Sequence, residues 1–244
     1  MPQISVVIPL FNAARYIGDT IQSVLNQTFD DFEVVIADDG STDSSLDIVQ
    51  GFRDKRIRTL THSLNTGFSS TINRGIIAST GSYIALLASD DLLTRDSLAV
   101  RFSHAAGYNL ICGQAAIIGP YTTLMEAYST PFNGPPRQFY GPTNLVSRKA
   151  FEQFGLFDEH LQYGTDREMW VRLFGWEKER RDRGLFLCLP DLVGYYRIRP
   201  DSVQQLGLHR PTPVRLIHKA AVADACERRR EVIVDVRRLD GSIK

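Results

Sequence analysis

The chain has 244 residues, of which 43% are hydrophobic and 23% are charged, a composition that excludes disordered, collagen-like and disulfide-scaffold proteins. Its 28 basic and 28 acidic side chains cancel, so no overall charge argument favours a nucleic-acid partner. Neither a signal peptide nor an apolar stretch of the ~18 residues needed to span a bilayer is recognisable. We therefore expect one folded domain in the cytoplasm.

The first hundred residues alternate short apolar, β-branched runs with segments of helical period, which is typical of βαβ units. This alternation predicts an α/β fold with a largely parallel sheet. Asn12 and Ser41 are the predicted caps of the first two helices. The predicted strands cover residues 4–10, 32–37, 57–61 and 83–88, and a helix follows each of the first three.

The second half of the chain has a looser pattern, with a segment rich in Gly, Pro, Tyr and Thr that predicts one long loop. Loops of that length are more often functional than idle. The predicted strands cover residues 110–118, 185–189 and 193–198, the predicted helices cover 149–154, 166–173 and 213–230, and the loop covers 119–142.

The three cysteines are scattered along the chain and show no CxxC spacing. Each of Cys112, Cys188 and Cys226 lies in or beside an apolar stretch. In a cytosolic protein such cysteines are reduced thiols that pack like small apolar side chains. We therefore expect no disulfide bond and no metal site from them.

Two pairs of aspartates follow predicted strands, Asp38-Asp39 directly after the second and Asp90-Asp91 after the fourth, with Ser89 between. In open α/β sheets, ligands bind outside the carboxyl ends of the strands. Adjacent carboxylates repel each other unless a cation or hydrogen-bond donors compensate. Mg²⁺ and Mn²⁺ suit such a site because they prefer oxygen ligands and accept part of their shell from substrate phosphates. The alternative is ordinary turn and helix-cap chemistry.

The first hundred residues resemble glycosyltransferase family 2 in a series of ordered motifs. The matching stretches are SVVIPLFN at 5–12, SVLNQT at 23–28, FEVVIADDGSTD at 32–43, NTG at 65–67, NRG at 73–75, GSYI at 81–84 and SDD at 89–91. The resemblance implies a GT-A fold, which has a Rossmann-like, mostly parallel central sheet flanked by helices and a mixed acceptor-side half. It also implies an inverting transfer from a nucleoside diphosphate sugar.

The resemblance also implies roles for the residues that match the motifs. Pro9 and Phe11 would lie against the nucleobase of the donor and Asp39 would hydrogen-bond it, which leaves Asp38 a structural role. In the Ser89-Asp90-Asp91 turn, Asp90 would approach the ribose or sugar and Asp91 would bind Mn²⁺ or Mg²⁺ on the diphosphate. Many relatives carry a further Asp where this chain has Ala88.

The catalytic base is predicted to be Asp166, in the stretch YGTDREMWVRL at 163–173. This stretch resembles the family segment in which an acid opens a helix that continues with an aromatic residue and an Arg-Leu pair. One carboxylate is sufficient, because the base takes the proton of the acceptor hydroxyl and the metal offsets the charge on the leaving diphosphate, so that no general acid is required. The acid that usually precedes the base is Thr165 here. The alternative is a helix-capping Asp.

The expected organisation has a donor-binding half at 1–104, an acceptor-binding and catalytic half of the same domain at 105–210, and a C-terminal helix and tail at 211–244. The predicted function is hexosyl transfer from a UDP-linked sugar to a glycan or lipid-linked acceptor, as in cell-surface polysaccharide synthesis. His209 could complete the metal shell, and Tyr195, Tyr196 and Arg197 could meet the acceptor or the diphosphate. The basic residues 228–230 could contact a membrane surface from the cytoplasmic side.

Two other classes of function remain open from the sequence. The first is a nucleotide-sugar-binding module or partner subunit that has lost catalysis, and Thr165 is the residue that keeps this possibility open. The second is a nucleotidyltransferase, which shares a nucleotide-binding α/β architecture. It is disfavoured because no Gly-rich phosphate loop with a basic residue follows the first predicted strand.

Overall fold

A computed structural model describes residues 1–129, 141–161, 165–174 and 186–199. The strands are β1 (Ile4–Leu10), β2 (Phe32–Asp38), β3 (Ile57–Thr61), β4 (Tyr83–Leu86), β5 (Leu92–Leu93), β6 (Leu110–Ile118), β7 (Asn144–Ser147) and β8 (Phe186–Arg197). The helices are α1 (Ile17–Leu25), α2 (Ser45–Gly51), α3 (Phe68–Ala78), α4 (Ser97–Ser103), α5 (Leu124–Ser129), α6 (Arg148–Phe154) and α7 (Thr165–Phe174).

Within these ranges the strands form one eight-stranded sheet in the order β3-β2-β1-β4-β7-β6-β8-β5. The first four strands in this order, β3, β2, β1 and β4, run parallel to one another, as the βαβ pattern predicts. Beyond β4 the sheet becomes mixed, because β7 is antiparallel to β4 and β6, whereas β6 is parallel to β8. The predicted α/β fold with a mostly parallel first half and a mixed second half is confirmed. The boundary predicted at residue 104 stays a prediction.

Helices cover both faces of the parallel strands, and alternate residues of each strand supply the two faces. From β1, Ile4, Val6 and Ile8 pack into the cluster that includes α1. Val7 packs on the other face, into the cluster that includes α3 and the tryptophan of α7. Each of these four side chains is fully buried. Burial of one such side chain stabilises the fold by about 1.5–3 kcal/mol, so the parallel strands form a rigid support for the loops at their ends.

Several local predictions are wrong. Asn12 is not a cap, because its backbone has a φ of 47° and its Oδ1 accepts a hydrogen bond from the Thr42 N–H at 2.8 Å. Ser41 lies before α2, which begins at Ser45, and its hydroxyl accepts from the Asn12 N–H. The two side chains therefore tie the loop after β1 to the loop after β2 instead of starting helices.

The second half is more regular than its sequence pattern indicates. The segment predicted as one loop at 119–142 contains α5, whose buried residues are Leu124 and Ala127. The two strands predicted between 185 and 198 form the single strand β8. Within the described ranges, no helix combines the length and the apolar character needed to cross a membrane. The helix predicted at 213–230, His209 and the basic residues at 228–230 lie outside the described residues.

The prediction of reduced cysteines is wrong for two of the three. Cys112 of β6 and Cys188 of β8 are directly paired in the parallel ladder and form a disulfide bond, with their Cα atoms 4.8 Å apart. The two cysteines are 76 positions apart in the sequence, and their pairing could not be predicted because it depends on two distant strands lying side by side. Cys226 lies outside the described residues.

Candidate donor-binding site

The order of the strands brings the two acidic turns to one edge of the sheet. Strand β1 is paired in parallel with β2 on one side and with β4 on the other. The carboxyl ends of all three strands therefore meet at the same edge. Asp38 is the last residue of β2 and Asp39 follows it, Ser89-Asp90-Asp91 lies shortly beyond the end of β4, and Phe11 follows β1. The predicted convergence of these residues on one edge agrees with the observed topology.

The first acidic turn is shaped by Asp38. This residue is buried, and its carboxylate accepts hydrogen bonds from the backbone N–H groups of Gly40 and Ser41 at 3.2 Å. Gly40 has a φ of 75°, and a Cβ atom there would lie 3.1 Å from the backbone of Leu64. The conformation and the close approach both require glycine. Asp38 thus supports the turn itself, in keeping with its predicted structural role.

Asp39 holds the loop that precedes α3. Its Oδ1 accepts from the backbone N–H and the hydroxyl of Thr66, and its Oδ2 accepts from the Gly67 N–H, all at 2.8 Å. The guanidinium of Arg74 lies 3.6 Å from Oδ1. Burial alone raises the pKa of Asp39, but the hydrogen bonds from Thr66, Thr71 and Gly67 outweigh it and lower the pKa below its usual value. Asp39 is therefore ionised and engaged within the protein, and its contact with a nucleobase stays a prediction.

The second acidic turn is fixed by two elements that are distant in sequence. The Thr20 hydroxyl of α1 donates to the backbone carbonyls of Ser89 and Asp91, at 3.0 and 2.9 Å. From the end of β8, the Arg197 N–H donates to Asp91 Oδ1 at 2.9 Å, and Arg197 Nε donates to the Asp90 carbonyl at 2.8 Å. The turn is therefore held through both its backbone and its side chains.

Asp91 points into the protein. Its residue exposure is 1%, and its Oδ2 is buried without a hydrogen-bond partner. Burial raises the pKa of Asp91 well above its usual value, the negative charge of Asp90 raises it further, and the Arg197 N–H opposes both. A proton on Oδ2 would remove the cost of a buried, unpaired charge.

A divalent cation does not fit well at this turn. A metal ligand has to present its carboxylate oxygens to the cation, whereas Asp91 Oδ1 already accepts from the Arg197 N–H and Oδ2 is enclosed within the protein. Asp90, its more exposed neighbour, pairs instead with Arg199, whose Nε lies 2.9 Å from Asp90 Oδ2. Across the described part of the chain, no three His, Cys, Asp or Glu side chains gather as a metal-ligand group. The metal role of Asp91 stays a prediction that this geometry does not favour.

Aromatic and cationic side chains line the same region. Arg197 and Arg199 both lie over the ring of Tyr16, with guanidinium carbons 5.1 and 5.3 Å from its centroid. Phe11 is 46% exposed and Pro9 is half-buried at the end of β1. An exposed aromatic ring beside a charged edge is suited to contact with a planar nucleobase. The roles predicted for Pro9, Phe11, Ser89 and Asp90 in binding the donor stay predictions.

The predicted base, Asp166, is exposed in the first turn of α7. Helix α7 is anchored by Arg172, which donates to Glu168 Oε1 at 2.7 Å and to the carbonyls of Gly155 and Leu156 at 3.0 and 2.7 Å. Thr165, which precedes the base, is buried. The anchored helix gives Asp166 a rigid support, while its role as the base stays a prediction.

Sequence reasoning did not predict the contacts that three residues make at this edge, and Arg197, expected to meet the diphosphate, instead holds the acidic turn. Thr20 and the backbone of Arg197 hold the second acidic turn, and Arg199 pairs with its exposed carboxylate. Arg199 could have been noticed in the sequence, because it is a basic residue directly beyond the last predicted strand. The Thr20 contact spans 71 positions, and no local pattern indicates it.

A depression of about 470 Å³ lies at the opposite edge of the sheet, where β1 and β2 begin. Its lining includes Met1, Phe32, Lys55 and Arg56. Ligands of open α/β sheets bind at the carboxyl ends of the strands. This depression therefore does not compete, as the candidate donor site, with the edge that carries Asp38-Asp39 and Asp90-Asp91, which we call the acidic edge.

Comparison with known proteins agrees with these features. The chain is 29% identical over 236 residues to the uncharacterized glycosyltransferase EpsJ of Bacillus subtilis, a match that covers 84% of this chain and 64% of EpsJ. It is 31% identical over 182 residues to an uncharacterized glycosyltransferase of Rickettsia bellii, which covers 70% of this chain and 26% of that protein. The chain thus spans less than two thirds of the length of either relative.

Solved structures show the same fold. The S. aureus TarS 1-349 complex with UDP-GlcNAc superposes with a TM-score of 0.67 at 19% identity, covering 84% of this chain and 61% of that one. A mannosyltransferase from Pyrobaculum calidifontis in complex with GDP-Man and Mn²⁺ superposes with a TM-score of 0.63 at 16% identity, covering 100% and 76%. The profile of glycosyl transferase family 2 matches residues 5–161. The chain therefore belongs to glycosyl transferase family 2 and has a GT-A fold.

Proposed function

We propose that this chain transfers a sugar, with inversion, from a UDP-linked donor to a glycan or lipid-linked acceptor. The observation that carries the proposal is the placement of two acidic turns on either side of β1, at the edge where α/β sheets bind ligands. The structural neighbour TarS, in complex with UDP and with UDP-GlcNAc, supports the choice of uridine nucleotide. A role in polysaccharide synthesis at the cytoplasmic face of a membrane is part of the same proposal.

In the proposed reaction, the acceptor oxygen attacks the anomeric carbon of the sugar while Asp166 takes the hydroxyl proton. A new bond forms between that carbon and the acceptor oxygen. The bond between the carbon and the diphosphate oxygen breaks, and its electron pair remains on the nucleoside diphosphate. Attack from the face opposite the leaving group inverts the anomeric configuration. Asp166 is suited to this role because it is exposed on a helix that Arg172 anchors.

The acidic edge supplies the binding part of the proposal. The exposed ring of Phe11 is the proposed contact of the nucleobase, and the turn that carries Ser89 and Asp90 is the proposed contact of the ribose and sugar. The hydrogen bonds of Asp39 hold the loop at 66–67 in one conformation, which orders the wall of the site before the donor arrives.

The product identifies the class of reaction. The protein is incubated with UDP-, GDP- and TDP-sugars, with Mn²⁺ and with EDTA, and the released nucleotide is measured. We expect UDP release and a product whose anomeric configuration, read by NMR, is inverted. Release of pyrophosphate in a parallel reaction with UTP and a sugar 1-phosphate, without UDP release from the UDP-sugar, would instead indicate a nucleotidyltransferase. Binding of a UDP-sugar without turnover, seen by thermal shift, would indicate the inactive module that Thr165 keeps possible.

The base is tested with Asp166→Asn, which keeps the size of the side chain and removes its basicity. We expect UDP-sugar affinity within about twofold of the wild-type value and a loss of at least about 10²-fold in the rate of transfer. Glu152→Gln, an exposed acidic residue on α6, is the matched control and should leave both quantities unchanged. Full transfer activity in the Asp166 variant would exclude this residue as the base.

A further inference from the structure

Arg199 places a cationic side chain at the acidic edge, beside the turn that carries Asp90 and Asp91. It lies just beyond the end of β8, with Nε 2.9 Å from Asp90 Oδ2. Its side chain is 22% exposed and that of Asp90 is 15% exposed, so both reach the surface of the site. This ion pair stands directly beside the buried Asp91.

The neighbouring arginine has a different use. Arg197 is buried, and its guanidinium donates to the Asp90 carbonyl and to the carbonyls of Gly119 and Thr122, at 2.7–3.0 Å. These contacts tie the acidic turn to the segment that leads into α5. Arg197 is thus a structural residue, whereas Arg199 presents part of its side chain to solvent. The ring of Tyr16 packs against both guanidinium groups and helps to orient them.

A divalent cation at Asp90 would compete with Arg199 for the same carboxylate. Mg²⁺ binds carboxylate oxygens at about 2.1 Å, which would place it within about 5 Å of Arg199 Nε. Two positive groups so close repel each other, and Arg197 adds to that repulsion. An arginine supplies its charge without this conflict, and its planar fork of N–H donors matches two phosphate oxygens.

We infer that Arg199 binds the donor diphosphate and offsets the charge that develops on it, so that this chain binds its donor without a divalent cation. The inference rests on the proposed function. When the bond between the anomeric carbon and the diphosphate oxygen breaks, the electron pair adds negative charge to the nucleoside diphosphate. The guanidinium, released from Asp90 towards the phosphate oxygens, stabilises that charge while the acceptor proton goes to Asp166.

The test measures UDP binding by isothermal titration calorimetry in EDTA and in Mn²⁺. For the wild-type protein we expect dissociation constants that agree within about threefold in the two media. Arg199→Gln should raise the dissociation constant in EDTA at least about tenfold, which corresponds to a loss of about 1.4 kcal/mol of binding free energy. Arg199→Lys keeps the charge but loses the planar fork of N–H donors, so its dissociation constant in EDTA should lie between those of the wild type and Arg199→Gln.

The matched control is Arg58→Gln, which removes an arginine that is paired with an acidic residue on β2, at the part of the sheet away from the acidic turns. It should bind UDP as the wild type does, and equal melting temperatures of the variants would show that each is folded. Binding that requires Mn²⁺, or wild-type affinity of Arg199→Gln in EDTA, would overturn the inference and leave the proposed function standing. Failure to bind UDP in either medium would contradict both.

Discussion

Replacement of Asp39 by alanine tests whether this residue anchors the loop before α3. The substitution removes the acceptor of three hydrogen bonds of 2.8 Å, from the backbone N–H and the hydroxyl of Thr66 and the Gly67 N–H. Hydrogen bonds to a charged group contribute about 1.5–3 kcal/mol each. Because the released loop can regain water at the edge of the sheet, we expect the free energy of unfolding to fall by about 3–5 kcal/mol, not by the full sum.

The assay is denaturation in urea, followed by circular dichroism, of the wild type, Asp39→Ala and Asp39→Asn. Asparagine keeps the shape but turns an amide towards the N–H donors, so we expect at least half of the alanine effect. Asp47→Ala, an exposed acidic residue in the first turn of α2, is the control and should cost less than about 1 kcal/mol. A loss below about 1 kcal/mol for Asp39→Ala, or one equal to the control, would refute the anchoring role.

Two further substitutions test buried charges. The raised pKa of Asp91 means that the folded state holds its proton more tightly than the unfolded chain, whose aspartates titrate near pH ~4. Stability is therefore lost as the pH rises from about 4 to the folded-state pKa, by about 1.4 kcal/mol for each pH unit of that interval. In urea denaturation, the free energy of unfolding of Asp91→Asn should equal that of the wild type at pH 4 and exceed it at pH 8. A wild type that is as stable as Asp91→Asn at pH 8, or more stable, would contradict this. Arg172→Met leaves the fully buried Glu168 carboxylate without its ion partner and should cost about 3–5 kcal/mol. Adding Glu168→Met should recover part of that loss, and no recovery would show that the pairing of the two charges is not the cause.

Much of the parallel half could be predicted because its signals are local. The apolar runs gave the bounds of β1 without error and those of β2 to within one residue, since each buried strand is bounded by polar turns. The parallel topology follows from the alternation of strands and helices. That topology places both acidic pairs at one edge of the sheet, so the position of the candidate site could be proposed from sequence alone.

The roles of individual side chains within the site could not be predicted in the same way. Asp90 and Asp91 are neighbours in sequence, yet one reaches the surface and the other is buried. This difference is set by the end of β8, which donates to Asp91 and pairs with Asp90. The short strands β5 and β7 were missed for a related reason, because two or four residues are too few to show a period.

The contacts that hold the second acidic turn also constrain the order of folding. They join Asp91 to Thr20 across 71 positions and to Arg197 across 106 positions. Contacts between such distant positions close large loops and form slowly. During synthesis from the N-terminus, β1 to β4 can pair long before β8 leaves the ribosome. The first hundred residues, which carry nearly all of the family motifs, would then expose an unfinished turn, so a fragment that ends before β8 should bind nucleotide far more weakly than the whole chain.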